Sequence, residues 1–579
     1  MSPRARIKIG LTLSAFATYR APTRHGEALI LPGLDQAAAV VRENRQRQAQ
    51  WELTLCGERL EIWREQARNE LLRDATRYSR IYRDVTLPAG IDGSRRHIFV
   101  MSGHQPTLFH PGVWFKNFAI AAIQQRVSGL TEPGAAAVAI NLVIDNDVAA
   151  SSSIRVPHRD PHTGQIGRTT VAYDSAAGGV PFEQNRIRDR ATFDAFAEAV
   201  CDVISPLVPN PLVTQLWPHA VAAAQRCENV SCALAQARHV LEGEQGLQTL
   251  ELPLSVLCRS EAFAAFVLTL TADAGRLRSI YNQSAAEYRQ AHGIRSSAHP
   301  VPNLATEDGW TEVPLWIYSD DSPQRRGAWV RRQGDVLEIS DRQRLSVRVT
   351  HPADSRAAAA ELAGLCGPHF KLRPRALLTT MYARLMLSDV FIHGIGGAKY
   401  DELGDEITRR LFGIEPPKLM VVSATMLLPT TERLPHDLPS VAELRQQIRQ
   451  TWFAPERFAD RVELPEALLQ AKRELIANRP GSPGFEAFSS QLSAVSDRFE
   501  PSRNGSAPSS KKAWHDELTR VNTDLAARLQ PLRDELNERL PEARQAESTA
   551  SILSSREHPF CLFPLQELMD RFAENLTLR

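Results

Sequence analysis

Three short polar clusters in the chain carry residue types that could do chemistry. The first is Ser102-Gly103-His104-Gln105-Pro106, directly after the apolar run His97-Ile98-Phe99-Val100-Met101 and before a helical pattern expected to start near Thr107. A helix N-terminus presents free N–H groups and the positive end of its dipole, so it favours phosphate or carboxylate. His104 and His110 could donate to such an anion, with Gly103 and Gly112 permitting close backbone approach. The second cluster, Asp145-Asn146-Asp147, closes the apolar run Ala137–Ile144. Asp145 and Asp147 could hold a magnesium ion or a substrate amine, and Asn146 could read a polar group. The third is His393-Gly394-Ile395-Gly396-Gly397-Ala398-Lys399, where glycine density permits positive φ and close ligand contact. Lys399 could stabilise charge on a transferring phosphoryl group. Arg373, in Leu372-Arg373-Pro374, could pair with a carboxylate or phosphate. Plainer readings stand beside each of these. A histidine can serve only to cap a helix, Asp-Asn-Asp is common turn composition, a glycine turn often carries a surface lysine, and an arginine before proline can simply anchor a loop.

The surrounding elements position these clusters. An apolar strand, tight turn, helix and second strand form a βαβ unit over residues 97–144, and Asp389–Ile392 and Lys418–Thr425 are further strands flanking a helix that runs to about Leu411. In open parallel sheets ligands bind beyond the carboxyl ends of the strands, and all three clusters follow such ends. Residues 35–85 and 185–295 read as helical, with an apolar run at Leu250–Leu257, and residues 310–350 turn to strand pattern. A helix is expected from about Ser355 to Leu365, and another from Arg375 into the 380s. The stretches 440–475 and 511–545 read as two long helices forming an antiparallel hairpin, separated by loop segments around 480–483 and 501–510. Leu518, Val521, Leu525, Leu529, Leu532, Leu536 and Leu540 line one helical face, with Pro531 expected to kink or end the helix.

Composition bounds the function classes. The chain has 579 residues, 43% hydrophobic and 23% charged. Lys+Arg 68 against Asp+Glu 67 leaves a formal charge of +1, which gives no global basic footprint for nucleic acid. No stretch approaches the roughly 20 uninterrupted apolar residues that span a bilayer. Seven cysteines, none in a CxxC pair, fit buried thiols in a reducing cytoplasm. Arg4, Arg6 and Lys8 ahead of Ile9–Ala17 sketch a signal-peptide outline, but the short apolar part reads better as a first strand or lead-in segment. There is no Walker loop, no GxGxxG after a strand, no HExxH and no EF-hand loop.

The ordered motifs resemble those of the bacillithiol biosynthesis cysteine-adding enzymes. Ser102–Phe109 resembles their TGQQAGLF-like segment, Leu372-Arg373-Pro374 their LRP segment, and Gly396-Gly397-Ala398-Lys399-Tyr400 their GGPGE turn. Phe412–Pro417 and Arg556–Pro564 are similar to their later segments, so the likeness runs from about residue 50 to the C-terminus. It implies an α/β fold with a Rossmann-type parallel sheet core, a helical connector and a C-terminal coiled coil that makes a homodimer. The expected division is 1–185 for N-terminal helices and the first half of the core, 186–300 for the connector, 301–430 for a strand-rich segment and the second half, and 431–579 for the helical hairpin and closing segment. The implied reaction adds cysteine to glucosaminyl malate, with ATP or another nucleotide activating a carboxylate. Gly103, Gln105, Arg373, Gly396 and Gly397 match the family's motif positions. His104 replaces a glutamine of the family pattern, Asn146 a histidine, and the acid of the third turn is lost. Those departures keep open a non-catalytic dimeric binding or scaffold protein of the same fold. An RNA-binding protein using the Arg-rich helices is a further class, which the balanced charge opposes.

Overall fold

Residues Ala137–Val143 are apolar but for Asn141 and buried throughout, as a strand covered on both faces requires. In the computed structural model of the chain they lie inside a parallel sheet. The structure describes residues 19–87, 97–129, 136–175, 178–352, 354–430, 438–496 and 510–577. The N-terminal segment 4–17 and nearly all of the loop expected at 501–510 lie outside these residues.

In chain order the elements are β1 (Ala28–Leu31), α1 (Ala37–Ala49), α2 (Leu60–Ser79), β2 (Ile98–His104), α3 (Pro111–Val127), β3 (Ala137–Val143), α4 (Arg190–Ile204), α5 (Val213–Cys227), α6 (Val230–Glu244), β4 (Leu250–Pro253), α7 (Glu261–Thr271) and α8 (Ala274–Ala291). Next come β5 (Trp310–Tyr318), β6 (Arg326–Gln333), β7 (Val336–Ser340), β8 (Ser346–Val349), α9 (Arg356–Leu365), β9 (Lys371–Pro374), α10 (Ala376–Tyr382), β10 (Val390–His393), α11 (Ile395–Phe412) and β11 (Leu419–Ala424). The chain ends with α12 (Val441–Phe453), α13 (Glu466–Ala477), α14 (Phe485–Ser496), α15 (Ser510–Arg528), α16 (Gln530–Leu553) and α17 (Leu565–Leu576).

The fold is mixed α/β. One sheet has the order β1-β11-β10-β2-β3-β4, parallel except for β1. β10 and β2 are neighbours, in register at Val390 and Val100. From β2 the chain passes through α3 to β3 on one side; from β10 it passes through α11 to β11 on the other. Right-handed crossovers leaving in opposite directions lie on opposite faces, which opens a crevice at the carboxyl ends of the two strands. The side-chain pattern agrees. Phe99 and Met101 join the hydrophobic cluster that holds Leu403 and Ile407 of α11, while Trp114, Phe115 and Phe118 of α3 are absent from it. A second, antiparallel sheet of order β8-β7-β6-β5-β9 shares that cluster through Val313, Leu315 and Ile317.

By contact density the residues group into two units: 1–158, 168–431 and 555–579 in the first, 159–167 and 432–554 in the second. In the second unit, Val521, Leu525, Leu529, Leu532 and Leu536 pack against Val441, Leu444, Leu469 and Leu475, so the leucine face lies within the unit's own core. The helix breaks where Pro531 was expected to end it: α15 stops at Arg528, and α16 carries Pro531 in its first turn. The stretch 440–475 is two helices, because Pro455 opens a separate 3-10 turn after α12. Residues 35–85 are likewise two helices, divided by a tight ribbon at 54–59 where Cys56 and Gly57 take positive φ. Among the described residues no helix is long and apolar enough to cross a membrane. All seven cysteines are free.

Candidate functional site

A cavity of about 880 Å³ opens at the crevice between β2 and β10. That volume falls in the roughly 300–1,000 Å³ range of small-molecule sites. Both strand-to-helix corners and the tip after β3 contribute to its wall, and the antiparallel sheet supplies the rest.

At the first corner the helix begins at Pro111, four residues later than expected near Thr107. A residue before proline avoids the α region, and proline suits the first helical position, so His110-Pro111 sets the start. His110 caps α3 by accepting from the Gly112 N–H at Nδ1, 3.1 Å away. Gly112 is required by space: a Cβ there would stand 2.3 Å from the Ala424 carbonyl oxygen. His104 is buried, with Nδ1 3.2 Å from the Gln105 carbonyl and Nε2 3.1 Å from Asn117 Oδ1. Burial, together with Arg238 and Lys116, holds its pKa well below the usual histidine value, so it is uncharged near neutrality. Burial also lowers His110, to about 4, helped by Arg556 and Lys116 against the pull of Glu557. These two rings therefore shape and hydrogen-bond the corner and bring it no positive charge. Lys116, one turn into α3, donates to the Gly103 carbonyl at 2.8 Å, and burial beside Arg238 lowers it to about 7.

Behind this corner runs a buried polar chain. Asn117 and Trp114 donate to Glu242 Oε1 at 2.7 and 2.8 Å, and Arg238 joins Glu242 to Glu251. Asn117 Nδ2 is committed to Glu242, which directs its Oδ1 at His104.

The second corner differs from the expected turn. Gly396 and Gly397 are already in the first turn of α11, and neither has positive φ. The N-cap is Gly394, with no side-chain cap. Gly394, Ile395, Gly396 and Gly397 line the cavity, so an uncapped helix start borders it. Gly397 is spatially obligatory, because a Cβ would lie 2.3 Å from His393 Nδ1. His393 itself lines the cavity, with Nε2 3.0 Å from Asp401 Oδ2. Burial alone would raise Asp401, but His393, Arg384 and Thr380 hold it down to about 2.

The antiparallel sheet brings what the three clusters lack. Two guanidinium groups approach the Trp316 ring, Arg375 at 4.2 Å and Arg325 at 4.9 Å from its centroid. Arg375 also pairs with Glu312 at 2.6 Å, and Arg325 with Asp147 at 3.0 Å. Arg556 completes the cationic lining, held by Ser423 and Thr425. Lys116, Arg325, Arg375 and Arg556 thus face two lining acids, Asp147 and Glu557. None of Trp316, Arg325 or Arg375 stands out by sequence spacing.

Of the sequence-derived candidates, Gly103, His104, Gln105, His110, Asn146, Asp147, Gly396 and Gly397 line this cavity, and Asp145, Arg373 and Lys399 do not. Asp145 is buried and accepts from the Ser255 N–H at 2.9 Å and Oγ at 2.5 Å, so it secures the turn after β4. Arg373 is buried in a bidentate pair with Glu183, at 2.9 and 3.1 Å, with the Tyr318 hydroxyl on the same carboxylate. It anchors the antiparallel sheet instead of a ligand. Lys399 is exposed, its place one turn into the helix carrying it away from the cavity. Asn146 donates to the Pro374 carbonyl at 2.7 Å, and Asp147 accepts from Gln105 and Val148 as well as Arg325. These carboxylates are committed to donors. Among the described residues no group of three or more His, Cys, Asp or Glu is placed to hold a metal ion.

No family model matches the chain, and no curated protein matches it.

Proposed function

We propose that the protein is a ligase-like enzyme that activates a carboxylate with a nucleotide such as ATP and joins it to an amine, on a Rossmann-type core. One observation carries the reading: the uncapped start of α11 and the guanidinium groups of Arg375 and Arg556 border one cavity at the crevice between oppositely directed crossovers. Phosphate or carboxylate oxygens suit the Gly396 and Gly397 N–H groups and these arginines. Trp316 and Phe109 offer apolar surface for the remainder of the ligand. When bound, the nucleotide supplies the leaving group that makes the carboxyl carbon electrophilic. The chain's own residues orient the anion and neutralise its charge. Motif order supports a divergent member of the cysteine-adding family, with a glucosaminyl malate-type acceptor, a cytoplasmic setting and a homodimer through the C-terminal helices.

The test is thermal stabilisation by ATP with magnesium, joined to a nucleotide-release screen against the twenty amino acids with and without glucosaminyl malate. The expected result is stabilisation that Arg375→Ala weakens, and ADP or pyrophosphate release with at least one amino acid. An unmoved melting temperature and no release refute the proposal and leave the binding or scaffold reading.

A further inference from the structure

His393 ends β10, the strand on one side of the crevice, and lines the cavity. Its Nε2 faces Asp401 Oδ2 at 3.0 Å. Asp401 is buried and fixed by two donors besides His393: Thr380 Oγ1 donates to Oδ1 at 2.5 Å, and Arg384, itself shared with Asp405, donates to Oδ2 at 3.0 Å. A carboxylate beside one ring nitrogen keeps the proton there and leaves the other as acceptor. The other nitrogen, Nδ1, has no hydrogen-bond partner among the described residues. It lies against Gly397, the one position of the helix start where a side chain would collide with it. A histidine that lines a ligand-sized cavity, is aligned by a buried carboxylate and keeps its second nitrogen unengaged beside Gly397 has the arrangement of a general base.

We propose that His393 accepts the proton of the attacking amine, with Asp401 as its positioning residue; this role rests on the ligase reading above. The amine lone pair attacks the activated carboxyl carbon and forms the C–N bond. The bond from that carbon to the phosphate-bearing oxygen breaks, and the phosphate leaves with the electron pair. The amine proton passes to His393 Nδ1 and from there to solvent, returning the neutral ring.

The experiment uses the full chain as wild type, His393→Gln and Asp401→Asn. It measures nucleotide release, thermal stabilisation by ATP with magnesium, and histidine ¹⁵N spectra, with the His393 signals assigned by their loss in His393→Gln. The expected result is a fall in kcat of about 10²–10⁴-fold in His393→Gln, with the nucleotide KM and the stabilisation retained. Wild-type His393 is expected protonated at Nε2 and bare at Nδ1, and Asp401→Asn is expected to lose that tautomer. Turnover by His393→Gln within about threefold of wild type overturns the role while leaving the ligase reading intact. Wild-type protein that releases no nucleotide product brings down the ligase reading, and the role with it. Should a variant fail to fold, the wild-type tautomer decides: a proton on Nδ1 overturns the assignment, and one on Nε2 upholds it.

Discussion

Gly112 and Gly396 each occupy the second position of a long helix bordering the cavity, Gly112 in α3 and Gly396 in α11. Alanine at either removes the backbone freedom of glycine from the unfolded chain and gains up to about 1 kcal/mol of stability from that alone. The surroundings then separate them. At Gly396 a Cβ meets nothing within 4 Å. At Gly112 it meets the Ala424 carbonyl oxygen at 2.3 Å, His110 Cε1 at 2.9 Å and the Ala424 nitrogen at 3.1 Å. Two of those atoms are backbone of a paired strand and cannot swing aside, so α3 must shift against β11. Overpacking of this kind costs about 1–3 kcal/mol or more. Once the gain is subtracted, Gly112→Ala is expected to be destabilised by up to about 3 kcal/mol, and Gly396→Ala to be neutral or up to about 1 kcal/mol more stable. Urea unfolding followed by tryptophan fluorescence reads the difference, since Trp114 is buried in the same helix as Gly112. Midpoints that move equally and in the same direction for both variants would refute the close-approach argument.

Three further perturbations probe the residues that lie away from the cavity. Arg373→Met leaves Glu183 buried without its bidentate partner and is expected to cost about 3–5 kcal/mol. Lys399→Ala is expected to change stability by less than about 0.5 kcal/mol and to leave ATP-dependent stabilisation untouched; loss of nucleotide stabilisation in Lys399→Ala would contradict its placement. Asp145 titrates at about 7 in the folded chain, because burial and then the charge of Glu183 outweigh its bonds from Ser255. An unfolded aspartate titrates near 4, so between these values the folded state holds the extra proton, and this site's contribution to stability falls as pH rises from about 4 to about 7. Asp145→Asn is uncharged throughout. The melting temperature of the variant relative to wild type should therefore climb across that range, and a difference that shrinks instead would show that the carboxylate is ionised when folded.

Much of the α/β architecture was legible because its signals are local. The run Ala137–Val143 is a strand because an apolar segment of that length needs cover on both faces, and α16 starts around Pro531 because the first helical turn needs no N–H donor there. What escaped is non-local. Asp145 finds Ser255 110 residues later, and Arg373 finds Glu183 190 residues earlier, and no spacing rule joins either pair. The antiparallel strands were legible as strands, but their meeting with the parallel sheet was not, so Trp316, Arg325 and Arg375 went unnoticed at the cavity. His393 was visible only as the start of a glycine turn. Its significance depends on Asp401 returning to it from within a helix that the glycine count disguised.

The loop between β5 and β6 carries Arg325, which donates to the Asn146 carbonyl at 3.0 Å and pairs with Asp147 at the same separation. A single guanidinium thus ties the tip after β3 to the second sheet at the cavity mouth, beside the shared hydrophobic core. Lengthening or shortening residues 319–325 would move that tie while both strand–helix corners kept their geometry, which makes that loop the natural handle for changing which molecules are admitted.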